Sequence, residues 1–307
     1  MNRRVLLAGG IASLAPFRRA VAANAADLTP LDVAYAGSMG SMMEGPMKAA
    51  AAQTLQIDMH GRGQGSDALA KLIVGGSITP DVFVPVTAGP MLTVLKASKA
   101  RLAIPVARTE MVIAYSPKSK YAQQFADAAS GKSGAPAWWQ ILQQPGIRFG
   151  RTDPVADPQG RNIIFTLQLA ETFYKQPDLA QKILGQTINT AQIFSEPTVQ
   201  ARLQSGELDA ASAYKIQPGP FNLPYITLPA EINLGNAALQ DRYALTSLDL
   251  SGKTFHPDPL VYYAAAVEGS ANREKALAFV NWLAGDAQPI FKRFAYDPPL
   301  GATALHA

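Results

Sequence analysis

A chain of 307 residues, 48% of them hydrophobic, has enough apolar material for one large core or for two lobes of ~100–150 residues each, and is neither disordered nor fibrous. Its 27 Lys+Arg against 23 Asp+Glu give a formal charge of +4, but Arg3, Arg4, Arg18 and Arg19 all lie within the first 26 residues. Cleavage before Asp27 would leave a neutral remainder, which removes the case for nucleic acid or an anionic membrane, and the lack of any Cys excludes a disulfide framework, a thiolate metal site and a cysteine nucleophile.

Met1 to Ala26 carries Arg3 and Arg4, then the apolar Val5–Pro16, then small residues ending in Ala-Val-Ala and Ala-Asn-Ala. That order of basic, apolar and small residues is the pattern of an export signal. The apolar stretch falls short of the roughly 20 residues that a permanent span needs. Arg3-Arg4-Val5-Leu6-Leu7 also resembles a twin-arginine signal, so the expected location is the periplasm.

Leu31-Asp32-Val33-Ala34-Tyr35-Ala36 alternates as a strand, and Gly37-Ser38-Met39-Gly40-Ser41 turns into a helix running to about Gln53. Leu55–Met59 is the next strand, and the turn Gly61–Ser66 leads into a helix over Asp67–Val74 with Ser66 at its N-cap. Asp81–Val86 and Met111–Tyr115 read as further strands, with helical sequence over Gly89–Ala97 between them. Strands alternating with helices argue for an α/β class with parallel pairing. The polar, proline-marked Ser116–Lys120 is where the chain is expected to pass from a first lobe (27–116) to a second (117–267).

Within that second lobe, Phe149 to Asn162 is the most informative stretch. A short apolar run stops there, turns twice on Pro and Gly, and opens into a helix on which Ile163, Leu167, Ala170 and Tyr174 share one face. Glu196-Pro197-Thr198 starts another helix, Gly206 ends it, and Leu208–Tyr214 returns as a strand. Leu260–Val267 is a further strand. Two amphipathic helices follow, Asn272–Leu283 and Ala287–Phe294, and 268–307 is expected to return across a hinge to the first lobe.

Few residues offer covalent chemistry. His60, His256 and His306 share no metal-ligand spacing, and Gly37-Ser38-Met39-Gly40 does not match a nucleophile elbow. The glycine-rich turns at Gly37–Ser41 and Gly61–Ser66 lack the Lys of a phosphate loop. Non-covalent anion capture by helix N-termini remains, since Ser38, Ser66, the Gln159-Gly160 turn and Pro197-Thr198 each open a helix. A Ser in that place is most often a simple cap. Asp157 is the odd member, an acid in the mouth of an anion-binding turn or, alternatively, only an N-cap.

Several strings carry a family resemblance. Ala36-Gly37-Ser38, Gly65-Ser66, Phe149-Gly150-Arg151-Thr152-Asp153-Pro154 with Asp157-Pro158-x-Gly160, Gly206-Glu207-Leu208-Asp209, and Leu228-Pro229-Ala230-Glu231-Ile232-Asn233-Leu234-Gly235 resemble the tungstate- and molybdate-binding proteins of ABC importers, from about Leu31 to Phe294. The resemblance implies an α/β, two-lobed, hinged periplasmic binding fold of type II, each lobe a mixed sheet flanked by helices. It implies a molybdate or tungstate oxyanion in the cleft and a membrane permease as partner, with no catalytic residue, no protein-bound cofactor and no nucleic acid. Its site residues correspond to Ser38 and Ser66, to Asp157, Gln159 and Gly160, to the helix start at Thr198-Val199, and to Tyr214.

One departure stands out. The tungstate branch typically has Glu before that tyrosine, and here the residue is Ala213. The resemblance therefore implies a single carboxylate, Asp157, near the metal of the bound oxyanion, a mainly four-coordinate ligand, and selectivity restored by Ala213→Glu. Two other readings stay open: a binding protein for another oxyanion such as sulfate or phosphate, and a cleft enzyme acting on an anionic substrate.

Overall fold

A computed structural model describes residues 28–307, so the reading of 1–26 as an export signal lies outside the described residues. Its strands are β1 (Thr29–Ala36), β2 (Ile57–Gln64), β3 (Val82–Val84), β4 (Leu102–Arg108), β5 (Met111–Tyr115), β6 (Phe149–Gly150), β7 (Ala210–Tyr214), β8 (Tyr225–Thr227), β9 (Leu248–Leu250), β10 (Lys253–Phe255), β11 (Val261–Ala266) and β12 (Leu305–His306). The period-2 alternation of β1 sends Leu31, Val33 and Tyr35 into one buried layer and Ala34 into the opposite one. Helix Arg273–Ala284 covers the first layer with Ala276, Phe279, Val280 and Leu283. Helices Ser66–Val74 and Ala88–Lys96 cover the second with Leu69, Ile73, Met91 and Val94.

The larger sheet runs β12-β4-β11-β3-β1-β2, and a smaller one runs β6-β7-β5-β8. β1 pairs in parallel with β2 and β3, while β11 is antiparallel to both β3 and β4. In the smaller sheet β5 is antiparallel to β7 and β8, and β6 is parallel to β7. Both sheets are thus mixed, as the family resemblance implies, and not purely parallel.

The lobe boundaries differ from the sequence-based expectation of 27–116 and 117–267. β4 ends at Arg108 in the larger sheet and β5 begins at Met111 in the smaller one, so the first crossing is Thr109-Glu110. Ser116–Lys120 is a loop inside the second lobe, pinned by Ser119 Oγ donating to Asp209 at 2.7 Å. The second crossing is Asn233–Gly235. Between 236 and 259 the chain touches both lobes, Ala237 packing with the apolar layer of the first and Ser247 O accepting from Gln168 Nε2 of helix Pro158–Tyr174 at 3.2 Å, and it re-enters the larger sheet at β11. The polar loop misled because a proline after a strand marks the end of that strand, not a change of sheet.

A second difference concerns Gly61 and Gly63, expected in a turn and found inside β2. A Cβ on Gly63 would stand 2.8 Å from the Tyr35 ring, and one on Gly61 would stand 2.9 Å from it. These glycines make room for a tyrosine lying across the neighbouring strand.

The two crossings are bonded to each other. Asn233 Nδ2 donates to Glu110 Oε2 and to Leu228 O, both at 3.1 Å, and its Oδ1 accepts from Gly235 N–H at 2.8 Å. Met111 N–H donates to Asn233 O, and Leu260 N–H to Leu234 O. Leu234 is left-handed with φ +59°, a conformation that costs a non-glycine residue roughly 1–2 kcal/mol. A Cβ on Gly235 would meet the Glu110 side chain at 2.7 Å. The string Leu228–Gly235 is therefore the inter-lobe joint. Asn233→Ala removes three bonds at a buried position and is expected to cost about 3 kcal/mol. Urea unfolding checks this, and an unchanged midpoint would show that the joint does not depend on the side chain.

Candidate functional site

The parallel strands β1, β2 and β3 all end on one side of the larger sheet, and their carboxyl ends carry Gly37-Ser38, Gly65-Ser66 and Val86. Such ends form the ligand crevice of open α/β sheets. Facing them from the second lobe are the start of helix Pro158–Tyr174, the start of helix Glu196–Ser205 and the end of β7. Together they enclose a cavity of about 260 Å³ lined by Ala36, Gly37, Ser38, Gly65, Ser66 and Val86 on one side and by Ala156, Asp157, Pro158, Gln159, Glu196 and Tyr214 on the other.

Three lining hydroxyls already accept or share a hydrogen bond. Ser66 is buried as the first residue of its helix, capped by Gly65 and not itself the N-cap, and its Oγ accepts from Val86 N–H at 3.1 Å. Its own hydrogen remains to donate. Ser38 Oγ lies 3.0 Å from the buried Tyr262 hydroxyl. Tyr214 accepts from Asn162 Nδ2 at 3.0 Å, and burial raises its phenol well above the ordinary value, with the charge of Asp157 adding to this. Tyr214 therefore keeps its proton as a donor.

The start of helix Pro158–Tyr174 is less free than a bare N-terminus. Asp157 is its N-cap: Oδ1 accepts from Gln159 N–H at 2.9 Å, and Gly160 N–H donates to Asp157 O at 3.1 Å. Asp157 thus caps the helix and also lines the cavity. The Gln159 side chain donates to Ser212 O at 3.1 Å and accepts from Gln217 at 3.0 Å, so much of its bonding capacity is already used.

Gly160, Thr198 and Val199 are not brought to the cavity wall. Gly160 is pressed against the preceding turn, where a Cβ would stand 2.5 Å from Thr152 O. Val199 N–H donates to Ser195 O at 3.0 Å, and Thr198 Oγ1 is 2.7 Å from Ser195 Oγ. The helix that was expected to offer Thr198 and Val199 N–H groups presents the side chain of its first residue, Glu196, instead.

Glu196 is the lining residue that sequence reasoning missed, together with Val86 and, behind Ser38, Tyr262. An acid in the first turn of a helix reads as an ordinary partner of the helix dipole, and nothing in the spacing sets it apart. Its Oε1 accepts from Gln217 Nε2 at 2.6 Å. Burial pushes the Glu196 carboxyl above its ordinary value, against the Gln217 bond and reinforced by the charge of Asp157. Burial likewise raises Asp157, against its bond to Gln159 N–H and the charge of Arg161.

Among the described residues, no Lys or Arg lines the cavity. Arg161 lies beside it, donating to Pro154 O at 3.1 Å, resting on the Phe255 ring and reaching Asp67 of the first lobe at 3.7 Å. Arg151 is wholly buried and turned to the 186–192 segment, where it donates to Gln186 O and Thr187 O. Desolvation lowers its guanidinium to about 10.

Ala213 is accounted for by strand alternation. It faces away from Tyr214 and packs in the apolar layer with Val112, Val199 and Leu203. Ala213→Glu therefore buries an unpaired charge and does not add a carboxylate to the cavity, so the restoration of selectivity expected from the family pattern does not follow. The substitution should cost on the order of 3 kcal/mol or more, read as a lower denaturation midpoint. Wild-type stability with tighter tungstate binding would refute this placement.

The carboxyl pair also gives a pH dependence. A carboxyl raised in the folded state binds more protons folded than unfolded between its unfolded value, ~4, and its raised value. Stability of the ligand-free protein therefore falls as pH climbs through that window. Asp157→Asn combined with Glu196→Gln should flatten the slope of midpoint against pH. An unchanged slope would assign the whole effect to Glu110 and Asp258, which burial also raises.

Residues 31–297 match the family described as bacterial extracellular solute-binding protein. The molybdate/tungstate-binding protein WtpA of Thermococcus kodakarensis is 31% identical over 201 residues, which cover 59% of this chain and 55% of that protein. The aligned part thus spans little more than half the length of that relative. The periplasmic molybdate-binding protein of Azotobacter vinelandii superposes with a TM-score of 0.55 at 17% identity, covering 87% of this chain and 98% of that one. The sulfate-binding protein SubI of Mycobacterium tuberculosis H37Rv gives 0.57 at 15%, covering 88% and 87%. At such identities the superpositions show a common fold, the two-lobed type II periplasmic binding architecture. Matched along nearly all of its described length, the chain belongs to the family of bacterial extracellular solute-binding proteins.

Proposed function

We propose that the protein captures molybdate or tungstate outside the cytoplasmic membrane and delivers it to the permease of an ABC importer. The observation that carries this reading is the cavity itself, walled equally by both lobes and supplied with hydroxyl donors by Ser38, Ser66 and Tyr214. Donors divided between two lobes favour closure around a small ligand. The N–H groups of Ser66, Asp67 and Ala68 precede the first intrahelical bond, Leu69 N–H to Gly65 O, and add to the anion-binding capacity of the first lobe. Arg3-Arg4 in the leader fits export by the twin-arginine route into the periplasm.

Binding without turnover is the better account of these residues. Among the described residues, the lining has no His and no nucleophile paired with a base, which a cleft enzyme would need. Sulfate and phosphate are the competing ligands, because the fold alone does not separate them from molybdate. Asp157 argues against sulfate, since a carboxylate beside a dianion repels it unless a proton intervenes or the central atom bonds the carboxylate.

Isothermal titration with molybdate, tungstate, sulfate and phosphate tests the reading, with binding of the first two expected. Each hydrogen bond to a charged group is worth ~1.5–3 kcal/mol, so Ser66→Ala or Ser38→Ala should weaken binding about tenfold or more. Wild-type affinity in both variants would remove these two turns from the site.

A further inference from the structure

Glu196 reaches the cavity from an element whose family pattern supplies backbone donors, and it is held there by a defined chain of bonds. Gln217 Oε1 accepts from the Tyr214 N–H at 2.7 Å, which fixes the orientation of the amide. Its two hydrogens then go to Glu196 Oε1 at 2.6 Å and Gln159 Oε1 at 3.0 Å. Gln217 is fully used, and Glu196, which lines the cavity, is anchored through Oε1. Asp157 stands in the same wall, anchored through Oδ1. Two acidic residues thus line a small cavity that, among the described residues, has no Lys or Arg in its wall.

We propose that Glu196 is a specificity-determining residue which, with Asp157, acts as a charge filter against oxyanions that carry no proton and have a saturated central atom. This deepens the oxyanion-capture reading and rests on it. Sulfate near neutral pH is a dianion with no proton to share, and its sulfur accepts no further ligand. A carboxylate beside it contributes only repulsion, strengthened by the low dielectric of a buried site. A molybdenum or tungsten centre has vacant orbitals that take an added carboxylate oxygen, so part of that repulsion is offset by bonding. Burial raises both carboxyls, and the charge of Asp157 adds to the rise at Glu196. The filter does not depend on the residue before Tyr214, which is why Ala213 is compatible with it.

The test is titration of molybdate and sulfate into wild type and Glu196→Gln, read as the ratio of the two dissociation constants. The glutamine keeps the shape and an oxygen for Gln217 but removes the charge. Sulfate is expected to tighten at least tenfold relative to molybdate, a change of about 1.4 kcal/mol. If Glu196 serves only the helix dipole, Glu196→Gln lowers the denaturation midpoint and leaves the ratio unchanged, which overturns the filter. Should the variant fail to fold, wild-type sulfate affinity between about pH 8 and about pH 5 decides it. Protonation of the pair, flanked by Gln217, Arg161 and the buried tyrosines 214, 262 and 296, should tighten sulfate as pH falls, and a flat profile overturns the filter. Wild type that binds neither molybdate nor tungstate defeats the capture reading. Wild type that binds molybdate with an unchanged ratio in the variant defeats the filter alone.

Discussion

The site lies between two sheets that two short backbone crossings join. Thr109-Glu110 and Asn233–Gly235 join the lobes, and the amide of Asn233 bonds one crossing to the other. Every other inter-lobe feature follows from that joint, because six residues of the cavity wall come from each side. The chemistry of the joint suits an element that must be firm locally while its flanks move. Glu110 is buried, raised by desolvation and offset by Lys215, and Lys215 is bonded to Asp297 at 2.7 Å. Asp297 in turn pairs through its backbone with Arg108. The charges at the joint are therefore mutually compensated, and the backbone around them carries the left-handed Leu234.

The legible part of the sequence was what periodicity and punctuation control. Alternation in Leu31–Ala36, the helical face through Ile163, Leu167 and Ala170, and the apolar Leu260–Val267 all became the expected elements. The lobe boundary was not legible, because membership of a sheet is decided by long-range pairing. β5 and β11 look alike as apolar strands, yet β5 pairs with β7 while β11 pairs with β3 and β4. Gly61 and Gly63 were misplaced for a related reason: a glycine that clears a path for Tyr35 is indistinguishable, in one dimension, from a glycine that turns. Ser38, Ser66, Asp157, Gln159 and Tyr214 were placed in the wall because each ends a strand or opens a helix. Glu196 was invisible because the same helix start offered two stories, backbone donors or a side chain, and only packing chooses between them.

The helix termini contribute less than a count of them suggests. A helix N-terminus attracts anions through N–H groups that lack acceptors, but a cap removes the nearest of these from the ligand. At helix Pro158–Tyr174 the Asp157 side chain takes Gln159 N–H, whereas at helix Glu196–Ser205 Ser195 makes no side-chain cap and Val199 N–H to Ser195 O is the first intrahelical bond. The polar residues that the second lobe places in the cavity wall are Tyr214, Gln159, Asp157 and Glu196. The first lobe keeps its donors, since Gly65 caps helix Ser66–Val74 without a side chain. Both acidic residues of the cavity wall, Asp157 and Glu196, belong to the second lobe.

That asymmetry bears on what such a cleft admits. A purely donor-lined cavity would take any tetrahedral dianion of suitable size, because hydrogen bonds to oxygen distinguish poorly between central atoms. A wall of carboxylates opposes all of them equally through charge, and discriminates only when the central atom or a bound proton answers the carboxylate. On the proposed reading, the first lobe would hold the oxygens and closure would bring the acidic residues of the second lobe against them. Selection would then fall at the closing step, where an ion that offers the carboxyl groups nothing leaves the lobes apart. Affinity would rest on the hydroxyls of Ser38, Ser66 and Tyr214 and discrimination on Asp157 and Glu196, so the proposal puts the two properties on different residues.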